Sequence, residues 1–318
     1  MAAFSTNSYR FLMGGLMFLG FFFFRVDWVQ AQTPPNTEVF LADIRLTETT
    51  FELLQVKNVS ENEGYDSQPS FSPDGQSLLF ASNRGGETDV VMMSVWSLNK
   101  LWLTDTPNRS EYSPQMRPGH QEFSFITLSP EGVQDFRLRE VIGVDSTRNE
   151  QIIESEKIIG YYTWLNESDY LCFVLPNTNT PTTLQWHTGY DPESEEPKTQ
   201  TTLTPTPGRS FHPHPDGQRF SYIDKSEDAW TIVLWNPETE ESSVYAPTLK
   251  GAEDMAWLPT GQAIMASGSE VYVWNQAQWQ VLMDLSSAGI QNITRLAVNK
   301  EGEKLALVGE LSARDANN

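Results

Sequence analysis

Residues 65–95 read YDSQPSFSPDGQSLLFASNRGGETDVVMMSV. Extended runs alternate with turns along this stretch. Tyr65 to Phe71 reads as a strand, Ser72-Pro73-Asp74-Gly75 as a turn, and Ser77 to Ala81 as a second strand. Asn83-Arg84-Gly85-Gly86 makes another turn before a third strand from Asp89 to Val95. Proline presets the backbone of the first turn, aspartate accepts local backbone hydrogen bonds, and glycine takes the left-handed position.

The same punctuation recurs downstream. Phe211 to Trp235 carries Pro215-Asp216-Gly217, Met255 to Trp274 carries Pro259-Thr260-Gly261, and Leu296 to Val308 carries Lys300-Glu301-Gly302. Pro114 to Leu128 and Tyr162 to Val174 are degenerate copies. With Ser72, Arg117, Leu165, His214, Leu258 and Asn299 as equivalent anchors, the spacings are 45, 48, 49, 44 and 41 residues. A repeat of that length with several short strands per unit is a β-propeller blade. A β-sandwich has no reason to repeat one strand-turn-strand phrase six times. Fourth strands follow Trp235-Asn236-Pro237 (Ser242 to Ala246) and Trp274-Asn275-Gln276 (Trp279 to Met283). The last copy stops after its second strand, near Leu311. Glu38 to Arg45 and Phe51 to Val56 supply the missing half. The expected fold is therefore all-β: a six-bladed β-propeller of four-stranded blades, its ring closed by N-terminal strands that complete the last blade. Closure of this kind removes exposed sheet edges.

The chain begins differently. Residues 11–24 are fourteen apolar or glycine residues in a row, with Arg10 just before them. The run is shorter than the roughly 17 to 25 residues of a spanning helix, and Val29-Gln30-Ala31 has small residues at both ends. This reads as a secretory signal over 1–31 with cleavage before Gln32. An uncleaved anchor is the alternative, because Arg25 and Asp27 interrupt the segment. The expected division is thus signal 1–31, propeller 32–311 and tail 312–318, with an exported product in the periplasm or at the cell surface and no stable membrane span after cleavage. The formal net charge is −21. Such a surface repels phosphate, which argues against nucleic acid. A single cysteine, Cys172, excludes an intramolecular disulfide and a multi-cysteine zinc site.

The phrase PSFSPDGQSLLFASNRGG at Pro69–Gly86 resembles the TolB-like, or PD40 (WD40-like), propeller repeat, and Phe211 to Trp235 and Met255 to Trp274 resemble it next. The resemblance implies a fold and leaves function open. TolB-like propellers include the periplasmic member of the Tol–Pal system and propellers attached to prolyl-oligopeptidase-type peptidases. The Tol–Pal protein carries an α/β domain before its propeller, whereas the residues here between Ala31 and Tyr65 read as strands.

No G-x-S-x-G elbow, His-Glu-x-x-His or glycine-rich phosphate loop occurs. His212-Pro213-His214 is the strongest oddity: residues two apart on a strand share a face, so two imidazoles are candidate metal ligands. They also occupy the positions of Ser70 and Ser72, which are ordinary turn-entry sites. Asp66 and Asp89 read as structural acids at blade turns, and Cys172 as a small buried hydrophobe. Loops from every blade converge at a propeller's channel mouth. The residues entering each inner strand offer Asp66, Glu111, Tyr161, Arg209, Asp254 and Arg295 as candidate binding residues. A mixed, charged and aromatic mouth suits a polar ligand or peptide. The expectation is a monomeric, non-enzymatic envelope module without cofactor that binds a protein or peptide segment. A cell-wall glycan binder is one alternative, and a metal-dependent hydrolase or lyase is another.

Overall fold

The computed structural model describes residues 35–47, 51–141, 150–178, 181–194 and 199–312, all within one unit, Pro34–Asn318. The signal segment and its cleavage site lie outside the described residues, as does all of the tail beyond Ser312. Among the described residues there is no α-helix, and no helix long and apolar enough to cross a membrane.

The strands form six sheets of four. Blade one holds β3 (Asp66–Phe71), β4 (Ser77–Arg84), β5 (Glu87–Ser94) and β6 (Lys100–Trp102). Blade two holds β7 (Ser110–Met116) to β10 (Gln151–Glu154), and blade three β11 (Ile159–Trp164) to β14 (Thr199–Thr204). Blade four holds β15 (Pro207–Pro213) to β18 (Glu241–Pro247), and blade five β19 (Met255–Trp257) to β22 (Trp279–Asp284). Blade six is composite. Its order is β2-β1-β24-β23, with β23 (Ile290–Val298) innermost, then β24 (Lys304–Leu311), β1 (Glu38–Leu46) and β2 (Phe51–Asn58). Val39 stands opposite Val308 and Leu41 opposite Ala306. The N-terminal strands do complete the last blade.

All six anchors make the same bond. Just after the inner strand the backbone N–H of Ser72, Arg117, Leu165, His214, Leu258 and Asn299 donates to the carbonyl of Ser77, Glu122, Asp169, Arg219, Gln262 and Lys304, over 2.8–3.0 Å. Even the two degenerate copies keep it. The glycine that ends the turn, at 75, 217, 261 and 302, has φ between 69° and 81°. A side chain there would be strained, which is why the turn phrase survives where the rest has drifted.

The apolar side chains form six clusters, and each fills one seam between neighbouring blades. Strand alternation lets β1 serve two of them: Phe40, Ala42 and Ile44 pack toward blade five, and Val39 and Leu41 toward blade one. Polar clips recur at the seams. Trp164 Nε1 donates to Ser124 Oγ at 2.8 Å, and at the equivalent place Trp257 Nε1 donates to Ser221 Oγ at 2.9 Å. These tryptophans are therefore core. Cys172 is buried in the seam of blades two and three, and burial pushes its thiol well above the usual range.

Candidate functional site

The inner strands, or in blade five the residue just before the strand, carry one row of residues, four positions before each anchor: Gln68, Ser113, Tyr161, Ser210, Asp254 and Arg295. Register breaks in the first hairpin of five blades lie at or beside this row. Gln68 and Ser113 sit at left-handed φ of 57° and 52°. The row stitches neighbouring blades together. Gln68 Oε1 accepts from the Ser113 N–H at 2.8 Å, Ser210 Oγ from the Met255 N–H at 3.1 Å, and Asp254 Oδ1 from the Leu296 N–H at 2.8 Å.

Three of the sequence-derived candidates meet directly. Arg295 Nη1 donates to Asp254 Oδ2 at 3.0 Å, and Nη2 to the Tyr161 hydroxyl at 3.3 Å. The guanidinium also stands over the Tyr161 ring, 5.2 Å from its centroid. Burial opposes the charge on Arg295, but Asp254 and the Tyr161 and Tyr65 hydroxyls outweigh it and raise its pKa. Beneath this bridge is a cavity of about 80 Å³ touched by all six blades; Ser70, Gln115, Tyr162 and His212 are among its walls. Beside the bridge a larger cavity of about 240 Å³ opens between blades four, five and six. Arg209 lines both.

Asp66 and Glu111 do not join the mouth. Both have no exposed surface, and both lie two positions before the mouth row, where the strand turns their side chains into the blades. Asp66 Oδ1 accepts from the Asn83 N–H at 3.2 Å. Burial, with Glu38 nearby, raises its pKa to about 6 against the bonds it accepts. Glu111 accepts from Arg109 Nε at 3.0 Å. Burial, with Asp89 adding to it, pushes Glu111 up to about 7 despite Arg109. Asp89 accepts from Thr104 Oγ1 at 3.1 Å. These acids hold turns and seams.

The two histidines have separate surroundings. His212 Nε2 pairs with Ser210 Oγ at 3.0 Å, and burial, reinforced by Arg295 and opposed by Asp254, lowers its pKa. His214 packs edge-on against Trp257, and its Nδ1 is 3.0 Å from Asp216 Oδ2. No cluster of three or more His, Cys, Asp or Glu side chains with metal-binding geometry occurs among the described residues.

Sequence reasoning passed over Tyr65 and Lys250. Burial raises the Tyr65 phenol while the Arg295 charge lowers it, so the ring stands within reach of that charge. It meets Tyr112 edge to face at 6.1 Å. Tyr65, Tyr112 and Tyr161 thus line the side of blades one to three. Lys250 is exposed, in the linker before β19, on the wall of the larger cavity. Counting back four residues from each anchor would have found the row; nothing in the repeat marks a linker lysine.

No family model matches the chain, and no curated protein matches it by sequence. Its fold does match solved structures. A putative TolB of Agrobacterium tumefaciens is 12% identical with a TM-score of 0.62, over 86% of this chain and 98% of that one. TolB of Acinetobacter baumannii is 11% identical with a TM-score of 0.52, over 86% of this chain but only 64% of that one. A gluconolactonase of Xanthomonas campestris, XC5397, is 10% identical with a TM-score of 0.57, over 87% and 97%. At such identities the likeness is one of fold.

Proposed function

We propose that this chain is an exported TolB-like propeller that acts without catalysis and binds a protein or peptide segment at the mouth formed by its inner strands. The carrying observation is convergence. Tyrosines from blades one to three, an Arg–Asp pair from blades six and five and Arg209 from blade four meet on one face. The ion pair and the interblade clips fix them in place, as a pre-organised recognition surface requires. Aromatic and arginine side chains dominate binding hot spots.

A photoreactive residue tests the reading. Placed at Lys250 on the mouth, it should capture a polypeptide from envelope extracts. Placed at Glu238, an exposed position in the turn between β17 (Thr231–Asn236) and β18 on the far side, it should not. Equal capture from both positions, no capture at 250, or a glycan as the captured species would overturn it.

A further inference from the structure

The larger mouth cavity has an uneven distribution of uncommitted charge. Both of its carboxylates are already engaged. Asp254 gives one oxygen to Arg295 Nη1 and the other to the Leu296 N–H. Glu253 Oε1 accepts from Lys225 Nζ at 3.0 Å and from the Arg209 N–H at 3.3 Å. Arg295 is spent on Asp254 and Tyr161. The Arg209 guanidinium, in contrast, has no carboxylate within ion-pair distance among the described residues, and its Nε is buried without a hydrogen-bond partner. Lys250 adds a second cation on the same wall. A buried, unpaired N–H of a charged group is costly to leave unmade. Arg209 therefore stands as a donor awaiting an acceptor, in a molecule whose net charge is −21.

We propose that this cavity seats a single carboxylate presented by a bound peptide, held by the Arg209 guanidinium with Lys250 at its rim. The inference rests on the peptide-binding reading of the mouth and names the group that the mouth recognises. Arginine suits this role because its planar fork matches a carboxylate. One carboxylate fits better than an acidic run, because only one guanidinium is free and the acidic body repels a polyanion at longer range. The tyrosine side of the mouth then faces the adjoining residue of the peptide. The carboxylate has two sources, the chain end or an Asp or Glu side chain.

The test uses the whole chain labelled with ¹⁵N-arginine, the Arg209 Nε–H signal being assigned by its loss in Arg209→Lys. N-acetyl-tyrosine mimics a chain end, N-acetyl-aspartate amide a side chain, and N-acetyl-tyrosine amide is the neutral control. At least one carboxylate should shift the Arg209 signal saturably, and the neutral amide should not; the carboxylate that does so identifies the source. Calorimetry should show the affinity falling roughly tenfold to a hundredfold in Arg209→Gln, and by less in Lys250→Gln. An equal shift with the amide, no saturable shift with either carboxylate at tens of millimolar, or unchanged affinity in Arg209→Gln would overturn the proposal. If polypeptide is still captured at position 250 in that case, the mouth reading stands and only the carboxylate falls. If carboxylates seat on Arg209 while nothing polypeptide is captured, the peptide occupant is overturned.

Discussion

Arg295 in β23 donates to the hydroxyl of Tyr161 in β11, 134 positions earlier in the chain, over 3.3 Å. Blades six and three are opposite members of the ring, so this bond spans the channel. It closes the hole at the level of the mouth row and turns a possible pore into a floored cup. Asp254 holds the same guanidinium from blade five. Three blades are thus tied at one point by side chains alone.

This makes Arg295 a structural residue of the mouth. Arg295→Ala leaves the half-buried Asp254 with only the Leu296 N–H, and breaking such a pair from one side costs about 3 kcal/mol. The thermal midpoint should drop by several degrees. Tyr161→Phe removes only an acceptor and should cost about 1 kcal/mol. A midpoint in Arg295→Ala equal to that of the unaltered chain would show that the bridge holds nothing.

Arg209 should behave in the opposite way. Its side chain makes no bond among the described residues that folding would miss. Arg209→Ala is therefore expected within about 0.5 kcal/mol of the parent in denaturant unfolding, while affinity at the mouth falls roughly tenfold or more. A large destabilisation would mean that the guanidinium has a structural partner after all.

Ring closure predicts a severe truncation phenotype. Without residues 32–57, β24 exposes an edge from Lys304 to Gly309, and two seams lose the side chains of β1. Such an edge templates aggregation. The truncated chain should elute as aggregate, with no cooperative melt. A soluble monomer with an unchanged midpoint would contradict the closure.

The buried acids set a pH dependence. Glu111 and Asp66 titrate near 7 and 6 in the folded chain, above their unfolded values of about 4. The folded state then binds more protons than the unfolded state between about pH 4 and 7. Their contribution to stability is full below about pH 4 and is lost as the pH rises through the folded values. His212, whose pKa is lowered by burial, pulls the opposite way below about pH 6.5. The comparison of Glu111→Gln with the parent isolates the acid: the variant should gain on the parent as pH rises from 5 to about 8. Parallel stability curves for the two chains across that range would refute it.

Cys172 should be silent in the folded protein. It is fully buried with a raised thiol pKa, and the thiolate is the reactive form. Thiol reagents should label it only at the rate of global unfolding, which stopped-flow labelling in denaturant can check.

The architecture was legible because its signal is repeated. Pro-Asp-Gly and its variants punctuate four of the six inner hairpins, and each punctuated turn needs the same left-handed glycine. Half-copies at the two ends of the sequence implied the composite blade. The mouth was legible only in part. Tyr161, Asp254 and Arg295 were found because they share a row, whereas Asp66 and Glu111 were chosen for their charge two positions too early. Strand alternation decides which side chain sees solvent, and a bulge beside the row shifts that alternation without leaving a mark in composition. The charge on Arg209 was visible in the sequence. Its lack of a partner is a property of the assembled ring.

The composite blade also orders events in time. Asp43 in the first strand and Lys304 in the last join across 261 positions. A ribosome adding about 5 to 20 residues per second needs on the order of ten seconds or more between making the two. Throughout that interval blade six does not exist, and the blade-five and blade-one seams that it would fill stand open. Five blades can form as they emerge, but the circle closes only once Lys304 and its strand have been made. β1 is made before the other five blades and is placed after them.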